Sequence, residues 1–264
     1  MNKTVGIFDS GLGGLTAAAE FEKLFCGKRY IYFGDTARVP YGTKSADTIC
    51  RYAFQDTRFL VDKGASLIIV ACGTVSANAI DELKRHFALP IIGVVDPAAK
   101  RAAEVALAGK GRVTVLGTSA TVKSGAYERA IHKIDKSIEV RSVACPMFVP
   151  LVENGYTKGE AAMLFAKEYL EPTLDFSADA VILGCTHYPH LSGVIGTVLE
   201  GSILVNSGKE AALAAAEYIT VDETEKGEPD FYVSDAPESF TRLAKVFLGR
   251  DGVERAKCVD IESY

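Results

Sequence analysis

The chain has 264 residues, enough for one or two domains, and its 48% hydrophobic and 24% charged residues are the balance of a folded protein with a sizeable core. The formal net charge is −5 and no block of Lys or Arg occurs, which argues against nucleic acid or an anionic membrane as the partner. The N-terminal residues lack the apolar segment of a secretion signal, and no apolar run reaches the ~20 residues of a membrane helix. We therefore expect a cytoplasmic protein with six free cysteines.

Short apolar runs alternate with helical segments along most of the chain. The runs are continuously apolar, which is typical of strands buried on both faces of a parallel sheet. Such an alternation predicts the α/β class, with doubly wound parallel sheets. The predicted strands are 4–8, 30–33, 67–71, 91–95, 113–116, 138–143, 180–183, 203–205 and 231–233.

Several helix boundaries also have local signals. Asp96 followed by Pro97 predicts an N-cap with proline at the first helical position. Two Ser/Thr-x-x-Glu segments fit the capping box, in which side chains satisfy the free N–H groups of the first turn. The predicted helix starts are Ser45, Asp96, Thr157 and Ser207, and the predicted stops are Gly64 and Gly109.

The two halves of the sequence resemble each other weakly. Residues 5–11 resemble 113–119, and residues 67–74 resemble 180–186. Each pair is an apolar strand that runs into small and hydroxyl residues. We expect two similar α/β domains related by pseudo-two-fold symmetry, with the active site in the cleft between them. The predicted domains are 1–96 plus 208–264, and 97–207.

Two of the six cysteines occupy matching positions in these halves. Cys72 and Cys185 each follow an apolar run and precede a threonine by one or two residues. Ligands bind at the carboxyl ends of strands in α/β sheets, so both thiols are expected in the cleft. Free cysteines usually only pack, and we assign that role to the others, which are Cys26, Cys50, Cys145 and Cys258.

Two facing thiols suit the inversion of a stereocentre. One group must remove a proton from one face while another delivers a proton to the opposite face. A thiol has a reference pKa of ~8.5, so both protonation states are accessible near neutral pH. Asp9, His187 and Glu153 are candidate assisting groups, although a turn, a structural hydrogen bond and a solvated loop residue explain them equally.

The glycines of segment 11–14 do not complete a dinucleotide fingerprint, because Thr16 occupies its sixth position. They instead allow backbone N–H groups at the next helix to approach a substrate carboxylate. No Walker loop and no metal-ligand spacing occurs in the sequence. We therefore predict neither a metal nor a cofactor.

With these segments in view, the sequence resembles the glutamate racemases through roughly Ala216. The resemblance lies in GIFDSGLGGLT, YFGDTARVPYG, ACGTVSANA, GTSATVKSGAYERAI, CPMFVPLVENG, LGCTHYPHL and VNSG. It implies a two-domain α/β fold and interconversion of L- and D-glutamate without a cofactor, which supplies D-glutamate for peptidoglycan. The implied catalytic residues are Cys72, Cys185, Asp9, His187 and Glu153. The implied substrate contacts are Asp9, Ser10, Tyr41, Gly42, Gly73, Thr74, Thr118, Thr121, Thr186 and His187.

One position departs from the pattern, and two other functions stay open. The family usually has Asn after the first cysteine, where this chain has Gly73. Loss of that amide removes one hydrogen bond, worth about 1 kcal/mol, so we expect altered affinity. The alternatives are an aspartate racemase of the same superfamily and a cysteine hydrolase that uses Cys185 with His187. The sequence leaves a homodimer open.

Overall fold

The computed structural model describes residues 4–220, 227–249, 253 and 255–264. In this part of the chain, strands form two parallel sheets. The first sheet contains β1 (Val5–Asp9), β2 (Tyr30–Gly34), β3 (Leu67–Val70), β4 (Ile91–Gly93), β9 (Asp230–Val233) and β10 (Lys257–Cys258), in the order β10-β9-β2-β1-β3-β4. The second contains β5 (Arg112–Gly117), β6 (Glu139–Ala144), β7 (Ala180–Leu183) and β8 (Ile203–Asn206), in the order β6-β5-β7-β8.

The strands form where the sequence predicts them, because continuous apolar runs bury both faces. Every residue of β1, β3 and β7 is buried, which is typical of strands covered on both sides. The predicted α/β class with parallel sheets is confirmed. The predicted strand 91–95 is too long, since β4 ends at Gly93. The two exposed residues of β10 were not predicted.

Helices cover the sheets. They are α1 (Leu15–Leu24), α2 (Ala46–Asp62), α3 (Gly73–Asn78), α4 (Ile80–His86), α5 (Val95–Leu107), α6 (Ser119–Ser124), α7 (Ala126–Ile134), α8 (Phe148–Glu153), α9 (Glu160–Leu170), α10 (Ser192–Val198), α11 (Ser207–Ala214) and α12 (Pro237–Leu248). Short 3-10 segments lie at Tyr41–Thr43, Glu171–Phe176, Tyr188–Leu191, Ala215–Glu217 and Ile261–Ser263. None of the helices in the described residues is long and apolar enough to cross a membrane.

The predicted helix starts are right only in part. Ser45 caps α2 as expected, with its hydroxyl accepting from the Thr48 N–H. The N-cap at Asp96 is wrong, because α5 begins at Val95 and Asp96 lies in its first turn. Both capping boxes are wrong as well. Gly159 rather than Thr157 precedes α9.

At the second predicted capping box, Asn206 rather than Ser207 caps the helix. The Asn206 side chain accepts from the N–H groups of Gly208 and Lys209 at the start of α11. Ser207 instead donates its hydroxyl to the Leu183 carbonyl at 2.7 Å. The side chain with the better reach to the free N–H groups therefore caps the helix, and the serine joins it to β7.

The two sheets repeat one strand order, since β2-β1-β3-β4 corresponds to β6-β5-β7-β8. The repeated segments found in the sequence thus end at equivalent strands. Packing nevertheless joins both sheets, because one core cluster contains Ile7 and Leu15 together with Val181 and Leu183. The division at 96/97 and 207/208 therefore stays a prediction, and its positions 1–3, 221–226, 250–252 and 254 lie outside the described residues.

Candidate active site

A cavity of about 380 Å³ lies where the carboxyl ends of β1, β3, β5 and β7 meet. This volume is at the small end of the ~300–1,000 Å³ of ligand pockets. The four strands belong to two sheets, so the cavity is shared between them. The predicted site residues that line it are Asp9, Ser10, Tyr41, Gly42, Cys72, Gly73, Thr74, Thr118, Glu153, Cys185, Thr186 and His187.

Cys72 follows β3 and occupies the N-cap position of α3, where its side chain makes no capping hydrogen bond. Its sulfur lies 3.6 Å from the Ser10 hydroxyl. Burial, and after it the charge of Asp9, raise the pKa of the Cys72 thiol to about 12. Cys72 therefore holds its proton at neutral pH in this state.

Asp9 ends β1 beneath Cys72 and is almost completely buried. Its Oδ2 accepts from the Gly11 N–H at 3.1 Å, while Oδ1 is buried without a hydrogen-bond partner among the described residues. Burial raises the pKa of Asp9, and the nearby His187 offsets this only in part. An unpaired buried acceptor is costly, and Asp9 is one of the residues that line the cavity.

Cys185 has a different neighbour. Its sulfur lies 3.8 Å from His187 Nδ1, and the other ring nitrogen lies 3.1 Å from Glu153 Oε1. Burial alone lowers the pKa of His187, but the contacts with Cys185 and Glu153 outweigh it and raise the pKa to about 10. The imidazole is therefore a cation at neutral pH, held between a sulfur and a carboxylate.

A row of threonine hydroxyls connects the two sheets at the edge of the cavity. Thr74 Oγ1 lies 3.0 Å from Thr118 Oγ1, which in turn lies 3.0 Å from Thr121 Oγ1. Thr121 is buried and does not line the cavity. Its role as a substrate contact stays a prediction.

The Tyr41 hydroxyl is also engaged elsewhere. It donates to Asp35, and Asp56 lies 3.3 Å away. Arg38 pairs with both carboxylates at 2.6 and 2.9 Å. Tyr41 therefore lines the cavity while its hydroxyl belongs to a buried ionic cluster that holds the loop before Gly42. Nothing in the sequence singled out this cluster.

Comparisons with known proteins identify the family. The family model described as Asp/Glu/Hydantoin racemase matches residues 19–216. A glutamate racemase from Geobacter metallireducens is 46% identical over 253 residues, which cover 94% of this chain and 93% of that protein. The crystal structure of glutamate racemase from Francisella tularensis in complex with D-glutamate has a TM-score of 0.91 and 36% identity, covering 100% of this chain and 99% of that one. The Thermus thermophilus enzyme, solved with β-chloro-D-alanine, has a TM-score of 0.89 at 38% identity, covering 100% and 99%.

The chain belongs to this family. It is an amino-acid racemase, an isomerase that inverts a stereocentre. The resemblance that the motifs indicate is thus confirmed. The fold expected from it is confirmed as well, because the solved relatives cover almost the whole chain.

Sequence reasoning missed one residue of the racemase that touches the candidate site from a distant element. Phe247 on α12 lies edge-on to His187, with ring centroids 5.4 Å apart, and edge-on to His190 at 4.9 Å. His190 Nε2 lies 3.1 Å from the Thr16 hydroxyl. Phe247 falls outside the match to the family model. Only its place in the apolar stripe of α12 marks it in the sequence, and that does not identify its partner.

The apolar part of the cavity wall was not predicted either. Its side chains have no chemistry of their own and come from three separate loops and from α8, so no motif indicates them. They exclude water from the polar groups, which strengthens electrostatic interactions in the cavity. The residues are Leu12, Val39, Pro40, Pro146, Val149 and Pro150.

Proposed function

We propose that this racemase interconverts L- and D-glutamate, with Cys72 and Cys185 as the two bases. The observation that carries the proposal is that both thiols line one cavity from equivalent strand ends of two different sheets. The relatives reported above are named glutamate racemases, which supports glutamate as the substrate.

The reaction needs a proton acceptor on one face of the α-carbon and a proton donor on the other. In one direction a thiolate removes the α-hydrogen as a proton, and the electron pair stays on a planar carbanion. The opposite thiol then donates its proton to the other face, and the reverse reaction exchanges the roles. Because two thiols complete both transfers, the reaction requires no cofactor.

The neighbours of each thiol supply different help. Asp9 lies against Cys72, and its unpaired Oδ1 is placed to accept from the substrate ammonium or from the thiol. His187 lies against Cys185 as a cation whose pKa is raised to about 10 by Cys185 and Glu153, after burial has lowered it. A positive charge there stabilises the negative charge that develops on a sulfur and on the substrate.

Hydroxyl and backbone groups recognise the substrate in this proposal. Among the described residues that line the cavity, none is Lys or Arg. The carboxylates of glutamate are then bound by hydroxyls, by backbone N–H groups and by the His187 cation, interactions that are strong in a cavity with apolar walls. The proposed contacts are Asp9, Ser10, Tyr41, Gly42, Gly73, Thr74, Thr118, Thr186 and His187, with Thr121 behind Thr118.

The resemblance also supports a cellular role. We place the enzyme in the cytoplasm, where it supplies D-glutamate for peptidoglycan synthesis. Glutamate is its small-molecule partner, and neither nucleic acid nor a membrane is expected as one. A homodimer stays a prediction. Depletion of the enzyme in its host should then produce a growth defect that added D-glutamate relieves, and growth without such relief would contradict this role.

The biochemical test uses purified full-length protein and L-glutamate in deuterated water. We expect optical rotation to fall to zero while the α-position of both enantiomers becomes deuterated. L-aspartate is tested in parallel. Faster racemisation of aspartate than of glutamate would show that aspartate is the preferred substrate. Glutamate that keeps its rotation and its α-hydrogen would contradict the proposal.

One observation is a reason to test the hydrolase alternative as well. Cys185, His187 and Glu153 form a connected chain of contacts. Such a chain resembles an activated cysteine nucleophile. A hydrolase would form a covalent acyl-enzyme detectable by mass spectrometry, whereas the proposed racemase stays unmodified. The presence of Cys72 on the same cavity favours the racemase.

A further inference from the structure

One wall of the cavity is formed by the segment 39–43, which follows β2 in the chain. All five of its residues line the cavity. The segment also reaches the second sheet, because a Cβ atom placed on Gly42 would lie 2.9 Å from the Cβ of Thr118 at the end of β5. The position of this segment relative to Thr118 therefore limits the space that a ligand can occupy.

The backbone of the segment does not fix this position. The Arg38 N–H donates to the Asp35 carbonyl at 3.3 Å, and the Lys44 N–H donates to the Tyr41 carbonyl at 3.0 Å. Both bonds close local turns. Within the part of the chain that the structure describes, no backbone hydrogen bond joins residues 39–43 to a strand. Side chains must therefore hold the segment against the fold.

The side chain of Arg38 provides most of that attachment. Its Nε lies 2.6 Å from Asp35 Oδ2, and its Nη2 lies 2.9 Å from Asp56 Oδ1. Its Nη1 donates to Gln55 Oε1 at 2.5 Å and lies 3.2 Å from Glu262 Oε1. Asp56 and Gln55 belong to α2, so all three guanidinium nitrogens join the start of the segment to other parts of the protein.

The middle of the segment is attached at the same carboxylate. The Tyr41 hydroxyl donates to Asp35, and so does the Ser234 hydroxyl that follows β9, at 2.8 Å. The side chain of Arg38 is 8% exposed and those of Asp35 and Asp56 are fully buried. Solvent therefore screens these charge-assisted bonds little, and their geometry is specific.

We propose that Arg38 is a positioning residue for substrate binding, which fixes the segment 39–43 against Thr118 by way of Asp35 and Asp56. Arg38 itself is not among the residues that line the cavity. The inference rests on the proposed function, in which Tyr41 and Gly42 contact glutamate. Both thiols lie on other elements, so displacement of the segment weakens binding and leaves the proton transfers unchanged. Such a change raises KM and preserves kcat.

The test compares Arg38→Lys with Arg58→Lys. Lysine keeps the positive charge beside the two carboxylates, but its single nitrogen cannot replace a planar fork that serves three partners. Arg58 is exposed on α2, so the control makes the same change outside the cluster. We expect the KM for L-glutamate to rise about tenfold in Arg38→Lys with kcat within about twofold of the wild type, and no change in the control.

A structural role alone predicts a different result. Fewer correctly folded molecules would lower the apparent kcat and leave KM unchanged. Amide hydrogen exchange gives a direct measure of the segment in the free enzyme, because local opening accelerates it. We expect exchange in the peptide 38–44 to be at least about tenfold faster in Arg38→Lys, while peptides that contain β1 and β3 keep the wild-type rates.

Tyr41→Phe provides a second variant in case Arg38→Lys does not fold. It removes only the hydroxyl that joins the segment to Asp35, the carboxylate that Arg38 also holds. We expect the same pattern with a smaller size, a KM about threefold higher, an unchanged kcat and faster exchange in the peptide 38–44.

Several outcomes would overturn the inference. They are a wild-type KM in the variant that folds, a raised KM without faster exchange in the peptide 38–44, and a kcat lowered more than about tenfold. If the wild-type enzyme does not racemise glutamate, the proposed function is wrong. The exchange rates of Arg38→Lys would still show whether Arg38 holds the segment.

Discussion

The surroundings of Cys72 and Cys185 differ more than the symmetry of the fold suggests. Both residues follow the third strand of their sheet by two positions, and both are buried. Cys72 is accompanied by the carboxyl of Asp9, whereas Cys185 is accompanied by the imidazole of His187. Repetition of a strand order therefore reproduces the position of a thiol but leaves its chemistry to the adjacent side chains.

The difference has a chemical meaning in the proposed reaction. L- and D-glutamate are mirror images with equal free energies, so kcat/KM must be equal in both directions for any variant. The two faces of the site need not be equal, because each thiol meets only one enantiomer as a base. Changes on one side should therefore appear as different isotope effects for the two enantiomers.

The largest effects are expected from the thiols themselves. Cys72→Ser and Cys185→Ser should each reduce kcat/KM at least about 10³-fold, because each removes the acid or base for one face. The assay is racemisation followed by optical rotation. Cys26→Ser at an exposed position is the matched control. A Cys72→Ser variant that keeps its activity would contradict the proposal that both thiols are needed for the reaction.

Removal of the carboxyl beside Cys72 should have the next largest effect. Asp9→Asn is expected to reduce kcat/KM about 10²-fold, since an assisting group in proton transfer is lost. The Asp9 charge is one of the causes that raise the pKa of Cys72, after burial, so this pKa should fall in the variant. The pH dependence of kcat/KM, which is the same for both enantiomers, should move toward lower pH on the limb that reports the ionisation of Cys72, and an unshifted profile would argue against this role.

On the other side, Glu153→Gln should have a smaller effect. Glu153 Oε1 lies 3.1 Å from His187 Nε2, but the Glu153 side chain is 42% exposed. Solvent screening reduces the value of such a pair, so we expect kcat/KM to fall about tenfold or less. The pKa of His187 should decrease in an NMR titration. A loss as large as that of Asp9→Asn would mean that the two sides depend equally on their carboxylates.

The last prediction concerns stability rather than activity, and it leaves the activity at neutral pH out of account. The pKa of His187 in the folded protein is about 10, above the ~6.5 of an unfolded histidine. Its contribution to the free energy of unfolding is therefore complete below pH 6.5 and is lost as the pH rises through 10, with a slope of at most ~1.4 kcal/mol per pH unit.

Urea unfolding between pH 7 and 10 tests this expectation. The stability of the wild type should decline more steeply than that of His187→Asn, which cannot bind the extra proton. Asp9 and Cys72 have raised pKa values in the wild type and are present in both proteins, so only the difference between the two slopes reports on position 187. Parallel curves for the two proteins would mean that His187 takes up no proton on folding.

Much of the fold could be predicted because local patterns determine it. Continuous apolar runs place β1, β3 and β7, and Ser45 begins α2 through a hydroxyl that reaches its own first turn. The helix starts at Thr157 and Ser207 were wrong because a capping motif shows only which side chains are available. Whether Ser207 caps a helix or bonds to Leu183 depends on the neighbouring strand.

The site likewise has one part that the sequence predicts and another part that it does not. The two cysteines, Asp9 and His187 stand beside strand ends in the sequence, and the meeting of those ends follows from parallel sheets. The contact of Phe247 with His187 joins residues 60 positions apart, and the Arg38 cluster joins the segment after β2 to α2. Neither leaves a local signal, since each depends on how separate elements pack.

By itself, the sequence determined the class of fold, the pair of thiols and the family, because these follow from periodicity and from short motifs. Only the tertiary structure decided which side chain lies beside each thiol, that Thr121 lies behind Thr118, and that Gly73 meets Gly184. The physical reason is that distances between sheets of about an ångström depend on the packing of whole elements, and no residue pattern within one element specifies them.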